Sequence, residues 1–387
     1  WDGRLCKAGA YGLKARVLLF VASPLFNSDQ PYAAGEASEK LMTWFGGYDH
    51  ERWKKAIDAC EAFFTALNAN GYFRMVQKSD VTENEYRYAF RKAYFDRGTT
   101  ETLISVHRNI YSASLSSGDL MLWNAIRWGG YNPTKEYFDM FPMADGSDFD
   151  WNNPEHTKNP FVNRDPRLNE TFILDGDIFQ GRTAGLTAPK ADDKENYPAG
   201  RDWEIGAMNK LSLKTGIACR KWGLDRGAEL KGHVIQWPFL RIAELYLTYA
   251  EALNEYHRGP NSTAYSYVNQ VRARVGLGGL KEGMNQEQFR AAVLRERACE
   301  FGYEEVRFFD LIRWKMEEKF TTPLHGLNVY KNKNDGSYIC EPFSLANSDR
   351  KRAWWNAGGF SPIWYLSAFP SDEVNKQYGL VQNPGWE

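Results

Sequence analysis

The sequence predicts a mainly helical, all-α fold built of helix pairs with long irregular loops laid over them. Three observations carry that reading. Apolar residues recur every three and four positions in two blocks, 1–97 and 238–316. Within both blocks small and large apolar residues alternate in a way similar to tetratricopeptide repeats, helix pairs of about 34 residues. Between them, over 98–237, the periodicity fails and turn dipeptides and tryptophans take over.

In the first block Ala10, Leu13, Val17, Phe20 and Pro24 mark one apolar helix face, and Trp53, Ile57, Cys60, Phe64 and Leu67 mark another. The two are expected to pair as a helical hairpin. In the second block three helices are marked by Tyr246, Ala250 and Leu253, by Ala264, Val268, Val271 and Val275, and by Ala291, Leu294, Ala298 and Phe301. A fourth runs from Glu304 through Phe309 and Ile312. Arg297, Glu300 and Glu304, then Arg307, Asp310 and Arg313, stand three or four apart, the spacing of ion pairs along one helix, and read as structural.

Composition narrows the function. A chain of 387 residues, 43% hydrophobic, buries a large core and exceeds one compact lobe. Its 48 basic and 49 acidic residues balance, so neither nucleic acid nor an anionic lipid surface is an expected partner. The longest apolar run, Val17 to Phe26, contains Pro24 and falls short of the ~20 residues that span a bilayer. Five cysteines form no C-x-x-C pair and have no histidine at zinc spacing, so no metal and no cofactor are expected. Aromatics reach 15%, more than a core of this size consumes.

The irregular stretch holds Trp123, Trp128, Tyr131, Trp151, Trp203, Trp222 and Trp237 among turns such as Gly129-Gly130, Asp145-Gly146 and Asn153-Pro154. Loops on a rigid frame are common recognition sites. The apolar face of a sugar ring matches an indole, and amides and guanidinium groups at the rim bind hydroxyls. Local chemistry therefore selects Trp123, Asn124, Arg127, Trp128 and Tyr131 in LMLWNAIRWGGYNP, with Trp203 in PAGRDWE. Each tryptophan has a competing reading as the buried anchor of a loop, and peptide capture would use similar aromatics. A glycoside hydrolase would need paired carboxylates, for which Asp145, Asp148 and Asp150 or Asp175 and Asp177 are candidates. The same DGSDFD and DGD stretches are ordinary turn formers, and DGSDFDWNN lacks the closing glutamate of an EF-hand. No catalytic residue is assigned.

Seven ordered motifs point to one family: LKARVLLFVASPLFN, NRDPRL, KTGIACRKW, LRIAELYLTYAEALNE, YVNQVRARVGL, RERACEFGYEEVRFFDLIRW and the closing YGLVQNPGW. Together they resemble the SusD/RagB family of nutrient-binding outer-membrane lipoproteins. The resemblance implies a superhelix of tetratricopeptide-like helix pairs whose loop insertions carry the ligand face. It also implies a cell-surface binding protein without catalysis, a lid on a SusC-like TonB-dependent transporter. Its ligands would be oligosaccharides, or oligopeptides in the RagB branch. The family's lipidated cysteine and first helix pair are expected to precede Trp1, since Cys6 has no apolar run before it. The remaining segment, 317–387, is expected to form C-terminal loops and a tail whose QNPGW packs back on the helices. Trp53, Trp314 and Trp386 are read as core or docking residues.

Overall fold

The computed structural model describes residues 4–109, 132–179, 181–203, 215–225, 234–345 and 360–387. Its principal helices are α1 (Lys7–Ala22), α2 (Glu51–Asn70), α3 (Tyr86–Phe95), α4 (Pro166–Thr171), α5 (Ile242–His257), α6 (Ser262–Arg274), α7 (Gln286–Phe301) and α8 (Val306–Arg313). Four longer strands accompany them: β1 (Thr102–Asn109), β2 (Val234–Arg241), β3 (His325–Lys331) and β4 (Tyr338–Ser344). The molecule is mainly helical, as the periodicity predicts.

Local chemistry sets the helix ends. Asn261 accepts a hydrogen bond from the Ala264 amide to open α6, and Asn285 with Gln288 forms a reciprocal capping box at the start of α7. Helix α5 ends on Arg258 in the left-handed region, φ 56°, after which the Gly259 amide returns to the Asn254 carbonyl. Nearly every residue of α5 is buried, because α1, α2, α6 and α7 pack around it. Ala243, Ala250 and Ala252 keep its surface narrow, and Leu245, Leu253, Phe63, Val268 and Phe289 fill the space between helices. The expected hairpin of α1 and α2 forms, and α2 buries Trp53, Ile57, Cys60 and Leu67 as its stripe predicts.

Two stripes turn out differently. Helix α1 faces the core with Ala8, Gly12, Ala15, Leu19 and Ala22, whereas the expected Leu13 and Val17 lie outward at 36% and 51% exposure. Close approach is the reason: a Cβ on Gly12 would stand 2.9 Å from Leu240 Cδ2, so only the small-residue side fits. In α7 the exposed Ala291 gives way to Phe289 and Val293 on the core side. The strands were not foreseen. Antiparallel pairing of β1 with β2, from Thr102↔Arg241 to Asn109↔Val234, clasps both ends of the irregular stretch and delivers the chain directly into α5.

A buried charge network joins the parts. Glu300, fully buried on α7, pairs with Arg241 at 3.0 Å, with Arg167 at 3.1 Å and with Arg274. Glu101 takes Arg241 at 2.7 Å and Arg274 at 3.3 Å, and Glu304 takes Arg241 at 2.8 Å and Lys221 at 2.6 Å. Arg167 also holds Asp165 and Glu296, and Glu296 reaches Arg272. A second group links Arg297 to Asp310 at 2.7 Å, and Arg313 to Asp310 and Glu251. The expected pairing of Arg297 with Glu300 along one turn of α7 is replaced by contacts between elements; only Asp310 and Arg313 pair as local spacing suggests.

Burial alone would raise the Glu300 carboxyl, but Arg274, Arg241 and Arg167 outweigh it and hold it well below the usual carboxylate range. Asp310 is held low against its own burial by Arg297 and Arg313, and Glu170 by Arg91 and Arg87. These groups are more acidic folded than unfolded, so the stability they contribute is complete above their unfolded values of about 4 and disappears as pH falls through the folded ones. Thermal unfolding should therefore hold steady from neutral pH to about 5 and then fall steeply toward about 2. Glu300→Gln, which removes the buried charge that three guanidinium groups share, should cost about 3–5 kcal/mol in urea unfolding at neutral pH.

Candidate ligand-binding face

The first predicted cluster, Trp123, Asn124, Arg127, Trp128 and Tyr131, lies outside the described residues, in the stretch between Asn109 at the end of β1 and Asn132. The chain beyond it is firmly tied. Thr134 caps the short helix Lys135–Asp139, Phe138 is buried beside Phe141, Phe161 and Phe172, and Glu136 accepts hydrogen bonds from the amide of His325 at 3.0 and 3.1 Å. The Asn132 side-chain amide is buried with neither its nitrogen nor its oxygen bonded among the described residues.

Trp203 is helical and half-buried against Ile173, Phe179, Ala184, Leu186 and Ala218. Its neighbour Asp202 accepts from Arg182 at 2.5 and 2.8 Å and from the Gly185 amide at 2.9 Å, which closes the loop 182–203 on itself. One side of Trp203 is thus committed to packing.

The remaining loop tryptophans divide sharply. Trp222, 4% exposed, stacks on Trp237 with ring centroids 4.6 Å apart and 14° between planes, meets Tyr94 edge-on at 5.0 Å, and donates its indole N–H to the Tyr303 carbonyl at 3.1 Å. It is an anchor. Trp151, half-buried, walls a groove of about 460 Å³ with Tyr338, Lys135, Thr157 and the β4 residues Ile339, Cys340 and Pro342 above Leu327. Its indole N–H donates to Asp139 Oδ1 at 2.8 Å, while the Lys135 ammonium, 5.0 Å from its ring centroid, bonds Asp139 Oδ2 at 2.5 Å. Tyr338 donates its hydroxyl to Asp175 Oδ2 at 2.9 Å and meets Phe161 edge-on. Both rings are therefore fixed in orientation without a ligand, the arrangement that lets an aromatic surface bind at low entropic cost. Sequence reasoning placed Trp151 among the loop aromatics, but nothing local signalled that Tyr338, far along the chain, would face the same groove.

A second, polar groove of about 390 Å³ lies between α3 and the residues Ile178 and Gly181, lined by Arg87, Tyr88, Arg91, Lys92, Asp96 and Asp225. Its charges compensate one another. Arg87 and Arg91 both pair with Asp225 and with the buried Glu170, and against its partial burial Asp225 is brought to about 2 by Arg91, Arg87 and Arg220. Burial instead raises the Asp96 carboxyl.

The carboxylates that a hydrolase would need are engaged otherwise. Asp145 accepts from the amide and hydroxyl of Ser147, which lower its pKa, and Asp150 accepts from the Asn152 amide; both are side-chain turns. Asp148 pairs with Arg295, Asp177 with Arg220 at 2.6 Å, and Asp175 takes the Leu186 amide and the Tyr338 hydroxyl. No group of three or more histidine, cysteine or acidic side chains able to hold a metal occurs among the described residues. All five cysteines are free thiols, and burial pushes that of Cys219 up to about 12.

Comparison with known proteins places this architecture. The model of the SusD family matches residues 88–386. SusD-like protein P25 of Formosa agariphila is 36% identical over 181 residues, which is 42% of this chain and 33% of that protein; SusD-like protein P2 of the same organism is 37% identical over 100 residues, 24% and 19% of the two chains. The crystal structure of a SusD-like protein from Bacteroides fragilis superposes with a TM-score of 0.65 at 24% identity, covering 99% of this chain and 66% of that one. A SusD superfamily protein from Parabacteroides distasonis gives 0.53 at 16% identity, covering 99% and 64%. The chain thus spans a third or less of the curated relatives and about two thirds of these solved structures.

The division among the tryptophans is measurable. Trp222→Ala should cost about 3–5 kcal/mol of stability by urea unfolding, as large aromatic deletions in cores do. Trp151→Ala, at a half-open groove, should leave unfolding far less altered.

Proposed function

Because the chain belongs to the SusD family, we propose that it is part of a cell-surface binding protein that captures oligosaccharides and passes them to a SusC-like, TonB-dependent outer-membrane transporter. The observation that carries this reading is the family match over 88–386, which spans the irregular, tryptophan-bearing stretch as well as helices α5 to α8. In this reading attachment is by a lipid anchor; no helix among the described residues is long and apolar enough to cross a membrane.

Capture proceeds by stacking, without chemistry on the ligand. Trp123, Trp128 and Tyr131 form the platform, Asn124 and Arg127 supply hydroxyl contacts, and Trp203 with the Trp151 groove extends the aromatic surface. A rigid ring loses little entropy on binding, and polar groups at its rim set specificity. Hydrolysis would call for a carboxyl kept protonated near neutral pH, and the loop carboxylates are paired with basic groups or accept backbone hydrogen bonds instead.

Three measurements test the proposal. On a glycan array read beside a peptide library, binding should fall on the glycans; peptide binding alone would replace the ligand class. Trp123→Ala or Trp128→Ala should weaken binding of the best glycan by about 1–3 kcal/mol with the melting temperature unchanged. A large fall in melting temperature at unchanged affinity would make them loop anchors. Copurification in mild detergent with the barrel encoded alongside is expected, since permanent complexes bury more than ~2,000 Å². Elution of the full-length protein alone would remove the lid.

A further inference from the structure

The Trp151 groove has hydrogen-bonding capacity of one sign left over. The carboxylates that hold its walls are spent. Asp139 gives one oxygen to the Trp151 indole and the other to Lys135, Asp175 gives one to the Leu186 amide and the other to the Tyr338 hydroxyl, and both oxygens of Glu136 take the His325 amide. The ammonium groups are not spent. Each carries three donors; Lys135 uses one on Asp139, and Lys331, 5.1 Å from the Tyr338 ring centroid, meets Asp175 at 3.5 Å. Among the described residues that line the groove, Lys135 alone is charged.

Strand β4 adds backbone groups. Leu327 donates its amide to the Thr215 carbonyl at 2.8 Å and Val329 accepts from the Ala188 amide at 2.7 Å, so both residues turn their backbone groups away from β4. Their partners across the ladder, Pro342 and Cys340, must then turn theirs to the outer edge of β4, because paired residues in an antiparallel ladder face inward or outward together. Pro342 suits that place, where no ladder bond needs the N–H it lacks. The groove follows this edge: Ile339 and Cys340, whose side chains leave opposite faces of the strand, both line it. A ligand hydroxyl can donate to the Cys340 or Pro342 carbonyl and accept from the Cys340 amide.

Given the capture role proposed above, on which this assignment rests, we infer that the groove is a subsite for an acidic sugar unit, one bearing a carboxylate or a sulfate ester, whose charge is met by Lys135 and by Lys331. The sugar ring packs against Trp151 and Tyr338, which Asp139 and Asp175 already hold in orientation. Its hydroxyls take the edge of β4. Its anion takes the ammonium donors that no group of the protein claims, and hydrogen bonds to a charged partner are roughly twice as strong as neutral ones. A neutral sugar would leave those donors to water and forgo that advantage.

On an array of neutral, carboxylated and sulfated glycans, the protein should bind carboxylated or sulfated members, and which of the two it binds identifies the anion. The best of them, neutralised by carboxyl reduction or desulfation, should lose about tenfold or more in affinity by calorimetry. Lys135→Gln should weaken the charged glycan and leave the neutralised one as it was, so that the difference between them collapses, whereas Lys135→Arg, which keeps the charge, should retain it. Lys331→Gln should diminish the same difference and guards against Lys135→Gln failing to fold. Binding to neutral glycans alone would overturn the acidic subsite and leave glycan capture standing; binding to peptides alone, or to nothing on the array, would overturn both. A preference for charge undiminished in folded Lys135→Gln and Lys331→Gln would place its recognition elsewhere, as at Arg127, and overturn the groove.

Discussion

The fold hangs on a carboxylate that cannot be left alone. Glu300 is fully buried, and a buried charge without partners costs several kcal/mol, so three arginines from three other parts of the chain must reach it. Arg274 comes from α6, Arg241 from the junction of β2 with α5, and Arg167 from α4. Each arginine then needs further acceptors, supplied by Glu101, Glu304, Glu296 and Asp165. Guanidinium suits this task because its five donors lie in one plane and bond two carboxylates at once. The network is closed only when the helices, the β1–β2 clasp, the α4 cap at Asp165 and the segment at Lys221 are all in place. It therefore fastens the irregular stretch to the helical frame more specifically than apolar contact alone would.

The helical frame was largely legible because its signal is local. Periodicity at three and four residues reports a face of one helix, and α2 and α6 show the faces it reports, while α5 is buried nearly all round. Where it failed, size misled it. On α1 the large apolar residues define the conspicuous stripe, but the core needs close approach at Gly12 and takes the small-residue side instead. The ion pairs failed for the complementary reason. Spacing along α7 exposes only neighbours on the same helix, whereas the partners of Arg297 and Glu300 come from α8, α6, β2 and α4. The β1–β2 pairing joins segments more than a hundred residues apart, and Pro238 inside β2 argues against a strand when the sequence is read alone.

The candidate ligand face is marked in the sequence by composition and not by geometry. Tryptophans in a segment rich in turns make candidates for recognition, while burial decides which are anchors instead, and burial depends on remote chain. Trp222 gives no local sign of being an anchor, yet it stacks on Trp237 and adopts φ 71°, a left-handed conformation a large residue keeps only when its surroundings fix it. Trp151 looks the same in sequence and lies in an open groove because β4 arrives beside it. Trp203 falls between, with one side held by Phe179 and Leu186.

The same logic explains the closing tail. Gln382 exchanges hydrogen bonds with the backbone of Phe369 at 2.8 and 3.0 Å, Asn383 donates to the Ser367 carbonyl at 2.7 Å, and the Trp386 indole reaches the carbonyls of Ile363 and Leu366 at 3.0 Å. These partners belong to the turn at 363–369, through which much of the tail docks, while Pro384 and Glu387 also stand against Gly35 at the start of the short helix Glu36–Glu39. Tyr365 of the same turn is buried against Leu25, Tyr32, Ile312 and Phe320, which carries the docking through to α8. Amides and an indole suit a segment without regular structure, because they satisfy the carbonyls that no helix or sheet claims.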